Sequence, residues 1–319
     1  MWHGWIRSSL VVLWASFSVL AAAQSGKTLR FVVGYPPGGS GDFVTRTVGE
    51  AIAAELGVTA VIENRPGAAG NLATEVVVKS NDGVTLLVAS NPYINKALYK
   101  KLNYDIEKDL IPVTLLGNGP MIIAVNQNLP IHSIADLIAH AKKNPGKLNF
   151  ASSGNGSTPH LGGILFNSVA DVNIVHIPFK GGAPAVQSII AGDTQVIYGT
   201  SPVVLPQVRA GRIRALAITT QKESAAIPGI MGMKEAGLAD YDISFSFGLY
   251  APASWPPHEV QKVFDAAAKV LKRPEMRDKL ATQGMDPAPN ASPADFKAAN
   301  LREAPLWARL ISASGAKVD

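Results

Sequence analysis

The chain has 319 residues, of which 47% are hydrophobic and 17% charged, with a formal net charge of +5. That length and composition suit one large or two medium domains with a full core and exclude a disordered chain. The complete lack of cysteine excludes disulfides, thiolate metal sites and cysteine nucleophiles, and leaves no cysteine for a lipid anchor.

Residues 1–23 read as a secretory signal peptide: Arg7 supplies the positive start, residues 10–23 an apolar stretch, and Ala21-Ala22-Ala23 before Gln24 a small-residue cleavage site. The stretch falls short of the roughly twenty residues that span a membrane. A secreted chain without a lipid anchor is best retained in the Gram-negative periplasm, which is the expected location. The mild positive charge suits an anionic ligand, and no basic run or aromatic-basic interleaving points to nucleic acid.

The mature chain then alternates strand and helix patterns. Residues 29–33 predict the first strand, and residues 42–56 a helix with Phe43, Val48, Ile52 and Leu56 on one face. A strand at 58–63, a helix at 69–78 behind a Gly-rich turn, a strand at 85–89 and a helix at 93–99 follow. Residues 121–125 form a strand. Ser133 caps a helix that Asn144-Pro145-Gly146 ends. Strands at 148–151, 173–177, 195–198 and 213–219 alternate with helices at 158–169, 183–191 and 202–210. From Pro257 onward the pattern is mostly helical, and Ser292 with Asp295 resembles a capping box. The alternation predicts an α/β fold built on parallel sheets. No flexible linker divides the chain, so two lobes joined by strands are expected, with crossings near Val125 and Thr219. Lobe 1 would comprise residues 24–124 and 220–319, and lobe 2 residues 125–219.

One device repeats: a strand runs into a loop of small residues that opens a helix. It occurs at Tyr35-Pro36-Pro37-Gly38-Gly39-Ser40-Gly41-Asp42, at Ser152-Ser153-Gly154-Asn155-Gly156-Ser157-Thr158, at Pro178-Phe179-Lys180-Gly181-Gly182-Ala183 and, more weakly, at Ser90-Asn91-Pro92-Tyr93. Helix N-termini carry unpaired N–H groups and partial positive charge, and glycine lets the backbone come close to a ligand. Such loops lie at the carboxyl ends of parallel strands, where ligands bind. Two of them facing across a cleft would hold the two ends of a dicarboxylate. The plainer alternative is that they are ordinary strand-to-helix turns.

Competing chemistries find less support. The P-loop and dinucleotide-binding spacings are absent. Ser157 and His160 would serve a hydrolase only with a base in reach and an orienting acid, and Gly-x-Ser-x-Gly is missing. Lys180 is either a cation for a carboxylate or a surface lysine. Asp42, Arg46 and Glu50 fit a solvent-facing ladder of helix ion pairs, with Asp42 as a first-turn acid. The histidines are scattered without metal-ligand spacing, so no metal and no cofactor is expected. Phe179, Phe245, Phe247 and Trp255 are pocket or core aromatics.

Taken in order, several segments resemble the substrate-binding component of tripartite tricarboxylate transporters, the Bug family. They are Gly34 to Gly39 with Asp42, Glu63 to Asn71, Asp82-Gly83, Ser152 to Ser157 with His160-Leu161, Lys180 to Ala185, Arg214 to Ala217, and Ala251-Pro252-Ala253. The resemblance covers nearly all of the mature chain. It implies a two-lobed periplasmic binding protein, type II-like, that closes on its ligand and is not an enzyme. It also implies that the protein hands a small organic anion, a carboxylate, to membrane permease subunits; a monomer is expected. Carried over by position, Tyr35, Pro37, Gly38, Gly39 and Ser40 would form the first-lobe grip, and Ser153, Asn155, Gly156, Ser157 and His160 the second, with Ser90, Lys180 and Thr200 as further contacts. The same fold would also serve an extracytoplasmic sensor for a signalling receptor. The chain departs from the family pattern at Ile164, where a Glu is usual, at Gly232-Met233 before Lys234-Glu235, and at Phe179 in place of Tyr. The Ile164 exchange predicts a less polar pocket and a ligand with an apolar or aromatic body.

Overall fold

The computed structural model describes residues 27–315. The expected signal peptide, residues 1–23, lies outside the described residues. Nine strands form a curled sheet in the order β2-β1-β3-β9-β4-β7-β5-β6, with β8 also on β4. They are β1 Thr28–Val33, β2 Thr59–Asn64, β3 Thr85–Ala89, β4 Leu110–Asn126, β5 Asn149–Ser152, β6 Val175–Pro178, β7 Val196–Thr200, β8 Ile213–Ile218 and β9 Ser244–Pro252. The fold is α/β and two-lobed, as expected. The sheet, however, is mixed. The pairs β1–β2, β1–β3, β5–β6 and β5–β7 are parallel, whereas β9 and β4 pair with their neighbours antiparallel. Short helical crossovers build the parallel pairs, and the chain passing between half-sheets builds the antiparallel ones.

β4 joins the halves. Through Pro120 it pairs with β9, and from Met121 it pairs with β7. Only its second half was legible in the sequence, because Pro112, Gly117, Gly119 and Pro120 read as loop punctuation. They are tolerated because β4 carries irregularities at Pro112/Thr114 and Leu115/Gly117. A Cβ on Gly119 would stand 2.7 Å from the Gly284 carbonyl, so only glycine admits that neighbouring segment. β9 was missed altogether, although Phe245, Phe247 and Leu249 alternate as a half-buried strand should.

The helices are α1, which runs Ser40–Val44, widens into a π-turn at Thr45–Gly49 and resumes at Glu50–Glu55; α2 Asn71–Val78; α3 Tyr93–Leu98; α4 Ile106–Asp109; α5 Ile134–Lys143; α6 Thr158–Ala170; α7 Gly182–Ala191; α8 Ser201–Arg209; α9 Pro257–Leu271; α10 Pro274–Ala281; and α11 Pro293–Ser314. Ser133 and Ser292 cap α5 and α11 as expected, each accepting a backbone N–H three residues on. α2 begins later than its pattern suggested, because Ala69 (φ 52) and Gly70 (φ 85) turn left-handed before it. Strand alternation divides the core: Phe31, Val33, Ile123 and Val125 enter the main cluster, while Val32, Ile122 and Ala124 face the helices of the other side.

Candidate functional site

Two adjoining cavities open where the carboxyl ends of β1, β3, β5, β6 and β7 meet. The inner one, of about 50 Å³, is lined by Tyr35, Gly39, Ser40, Ser152, Ser157, Gly181 and Thr200, with Val186, Val203, Phe245 and Phe247 as its apolar wall. On this measure one water needs about 10–15 Å³, so the chamber takes a few waters or a carboxylate. The outer one, of about 550 Å³, is lined by Tyr35, Ser90, Asn91, Asn95, Ser153, Asn155, Gly156, Phe179 and Lys180.

Four helices begin at the inner chamber. Gly39 and Ser40 open α1, Ser157 and Thr158 open α6, Gly181 and Gly182 open α7, and Thr200 caps α8. Their positive ends converge on a volume whose lining holds no Asp, Glu, Lys or Arg. Among the described residues, Lys180, exposed at the outer cavity, is the one charged side chain lining either space.

The halves of the sheet touch across this cleft. Ser40 Oγ and Thr200 Oγ1 share a hydrogen bond of 2.7 Å. Pro36 packs over Gly181, where a Cβ would stand 2.8 Å from its Cγ at φ +116, so glycine is required there. Tyr35 ties two loops together: its hydroxyl accepts the Ser90 N–H at 3.3 Å, and its ring meets Phe247 edge-on at 5.4 Å.

Asp42 is buried at 4% exposure and does not lie on the solvent-facing ladder that its spacing suggested. Its carboxylate accepts from Gly38 N, Asn64 Nδ2 and Arg46 Nε, each at 3.0 Å, and so clamps the first loop. Burial alone would push its pKa up, but the hydrogen bonds from Arg46, Gly38 and Asn64 and the Arg46 charge hold it below the ordinary Asp value. Glu50, beyond the π-turn at Thr45–Gly49, adds only its charge to the field at Arg46.

Of the residues singled out in the sequence, Tyr35, Gly39, Ser40, Ser90, Ser153, Asn155, Gly156, Ser157, Lys180 and Thr200 line the cavities. Pro37, Gly38 and His160 do not. Pro37 and Gly38 are exposed, and the Gly38 N–H is taken by Asp42. His160 is 2% exposed beneath the second loop, where its Nδ1 accepts the Gly156 N–H at 3.1 Å. Ser157 Oγ donates to the Gly154 carbonyl at 2.7 Å, so the pair is not arranged as nucleophile and base. Ile164 lies against the main core and lines neither cavity. The apolar wall comes instead from Phe245, Phe247, Val186 and Val203, with Phe179 in the outer space. Ser152, Thr158, Gly182 and Asn91 also line the cavities and were not singled out, although each sits in a recognised loop.

A mixed sheet of two halves, with strand ends and helix starts turned to a common cleft, defines the periplasmic solute-binding class. The chain belongs to the tripartite tricarboxylate transporter receptor family: the model described as "Tripartite tricarboxylate transporter family receptor" matches residues 44–315. It is 31% identical over 304 residues to Protein BugT of Bordetella pertussis, covering 94% of this chain and 93% of that one. Among solved structures it is similar to an R. palustris protein with adipate (TM-score 0.87, 29% identity, 92% of this chain and 100% of that one). It is also similar to MatC from Rhodopseudomonas palustris with bound malate (TM-score 0.82, 27% identity, 89% and 99%) and to the periplasmic binding protein BugD (TM-score 0.83, 27% identity, 91% and 98%). This is a family of solute-binding receptors and not of enzymes. No helix among the described residues is long and apolar enough to cross a membrane.

Proposed function

We propose that this protein captures a small carboxylate in the cleft and delivers it to the membrane subunits of a tripartite tricarboxylate transporter. The observation that carries the reading is the convergence of four helix N-termini on a chamber lined by no acid. The carboxylate sits in the inner chamber, taking hydrogen bonds from whichever of the Ser40 and Thr200 hydroxyls does not donate to the other and from the loop backbone at Gly181. The body of the ligand extends into the outer space past Ser90, Ser153, Asn155 and Phe179, with Lys180 at the mouth. Phe179, Phe245 and Phe247 favour an apolar or aromatic body. The relatives solved with adipate and malate support a carboxylate.

The protein works as a periplasmic monomer, exported by residues 1–23 and free of a lipid anchor. Its lobes close about two crossings, one at Pro120–Met121, where β4 changes partners, and one at Thr219. The first is a few residues before the Val125 position expected from the sequence.

A thermal-shift screen of the mature protein against C4 to C6 dicarboxylates, citrate, aromatic acids and amino acids tests the reading. A midpoint that climbs with the concentration of one carboxylate class supports it, since a ligand of the folded state stabilises by mass action. No shift with any carboxylate, even after refolding from denaturant to strip carried-over ligand, refutes it. Deleting the gene and comparing uptake with transcription separates transport from sensing.

A further inference from the structure

The second loop rests on two histidines that touch no ligand space. His176 stands on β6, opposite Phe150 of β5 in the parallel register. Its ring stacks on His160 of α6 with centroids 4.0 Å apart and planes 24° from parallel, and its other face lies 4.9 Å from Phe150. Each ring grips the loop. His176 Nε2 is 2.6 Å from Ser152 Oγ, which in turn accepts the Gly154 N–H at 3.1 Å. His160 Nδ1 accepts the Gly156 N–H at 3.1 Å. Ser152, Ser153, Ser157 and Thr158 line the inner chamber, and Asn155 and Gly156 the outer one.

The bond from Gly156 requires a bare Nδ1, so His160 is neutral with its proton on Nε2. A proton on Nδ1 would set N–H against N–H. It would also place a cation in the first turn of α6, where the helix end is already positive, and against a second imidazole. Among the described residues, the titratable groups packed about the rings are the other histidine, Tyr198 of β7 beyond Phe150, and Tyr241, whose hydroxyl donates to the Gly162 carbonyl of α6. No carboxylate, Lys or Arg contributes to the shift of either ring.

We propose that His160 and His176 are positioning residues for the ligand loop: as a neutral stacked pair they hold residues 152–157 in the shape that faces the cleft, and protonation of the pair releases that loop. The proposal rests on the reading of the cleft as an anion site. Burial lowers the pKa of His160 to about 4, and burial followed by the His160 charge lowers that of His176 to about 3. Both values lie below the ordinary 6.5, so the ordered loop is fully favoured above that pH. Its advantage shrinks as the pH falls below 6.5 and levels off once the rings are protonated in both states.

Amide hydrogen exchange of the ligand-free protein reads this directly, and the ligand's own protonation does not enter. After correction for intrinsic rates, protection of the Gly154 and Gly156 amides should fall up to about tenfold per pH unit for each ring that titrates, starting near pH 6.5. In H160N/H176Q the Asn Oδ1 still accepts the Gly156 N–H but neither side chain titrates, so protection should persist and its acid dependence vanish. In H160L the Gly156 amide should lose about tenfold in protection at neutral pH, and carboxylate affinity should fall by a similar factor. An acid dependence that survives in H160N/H176Q overturns the proposal, as does unchanged loop protection in H160L. If no carboxylate binds the wild-type protein, the function reading fails, and the exchange data still judge the histidine pair.

Discussion

Asp42 shows how a residue that touches no ligand shapes the site. Its carboxylate holds the Gly38 amide, the Asn64 side chain and Arg46 at once, so the first loop keeps its curve without a ligand. Asp42→Ala should therefore cost about 1–3 kcal/mol, the range for leaving buried donors unpaired. Chemical denaturation reads the loss, and a variant as stable as wild type would show the clamp to be idle. The folded-state pKa is depressed, so the contribution is whole above the ordinary Asp value and is lost as the pH falls through the lowered one. Asp42→Asn should flatten that part of the acid limb of stability.

The Ser40–Thr200 bond joins residues 160 positions apart in the chain and exists only with the halves of the sheet together. Thr200→Val keeps the shape and removes the hydroxyl. Calorimetry with whichever carboxylate the screen identifies should show about tenfold weaker binding, the scale of one hydrogen bond. Equal affinity in the variant would mean that the bond adds nothing to closure. Neither partner could be matched to the other in the sequence, because nothing local to Ser40 points to Thr200.

At the scale of elements, the loop-to-helix junctions carry the argument. The turn before α7 needs Gly181 twice over, for its backbone angle and for the passage of Pro36. Gly181→Ala should leave most of the fold in place, as judged by circular dichroism, while lowering ligand affinity because the added methyl meets Pro36. Wild-type affinity in that variant would show that Pro36 gives way. Glycines in such loops were legible as a composition, and the strands feeding them as runs of Val, Ile and Phe. The π-turn at Thr45–Gly49 was not legible, since no local residue pattern marks it; its last residue, Gly49, lies against the Phe31 ring of β1. The same holds for the first half of β4, whose prolines and glycines are acceptable only because β9 and the Gly284 segment lie where they do.

At the scale of the molecule, β4 and the segment near Thr219 are the passages between the two half-sheets. Thr219 Oγ1 accepts the Met121 N–H at 2.8 Å, and the Thr219 N–H donates to the Met121 carbonyl at 2.9 Å, which links the crossings side by side. Hinge closure about this link should reduce the radius of gyration when ligand is added, as measured by small-angle scattering. Thr219→Val should change the free-state radius by loosening the link. If the radius is the same with and without a ligand known to bind, the two-lobe closure is wrong.

The sequence by itself determined the α/β class, most strand and helix positions in the second half-sheet, the caps at Ser133 and Ser292, and the run of Gly- and Ser-rich loops. These are readable because periodicity, capping and turn chemistry act over a few residues, and the family resemblance lay in the same loops. Only the tertiary structure decided which loop residues face the cleft. Pro37, Gly38 and His160 sit in the loops that line the cavities but line neither themselves, the Gly38 amide being held by Asp42 and the His160 ring by the Gly156 amide. It alone decided that Ile164 packs in the core while Phe245 and Phe247 wall the chamber. The physical reason is that a side chain's direction is set by which distant element fills the space beside it, and that information is spread over the whole chain.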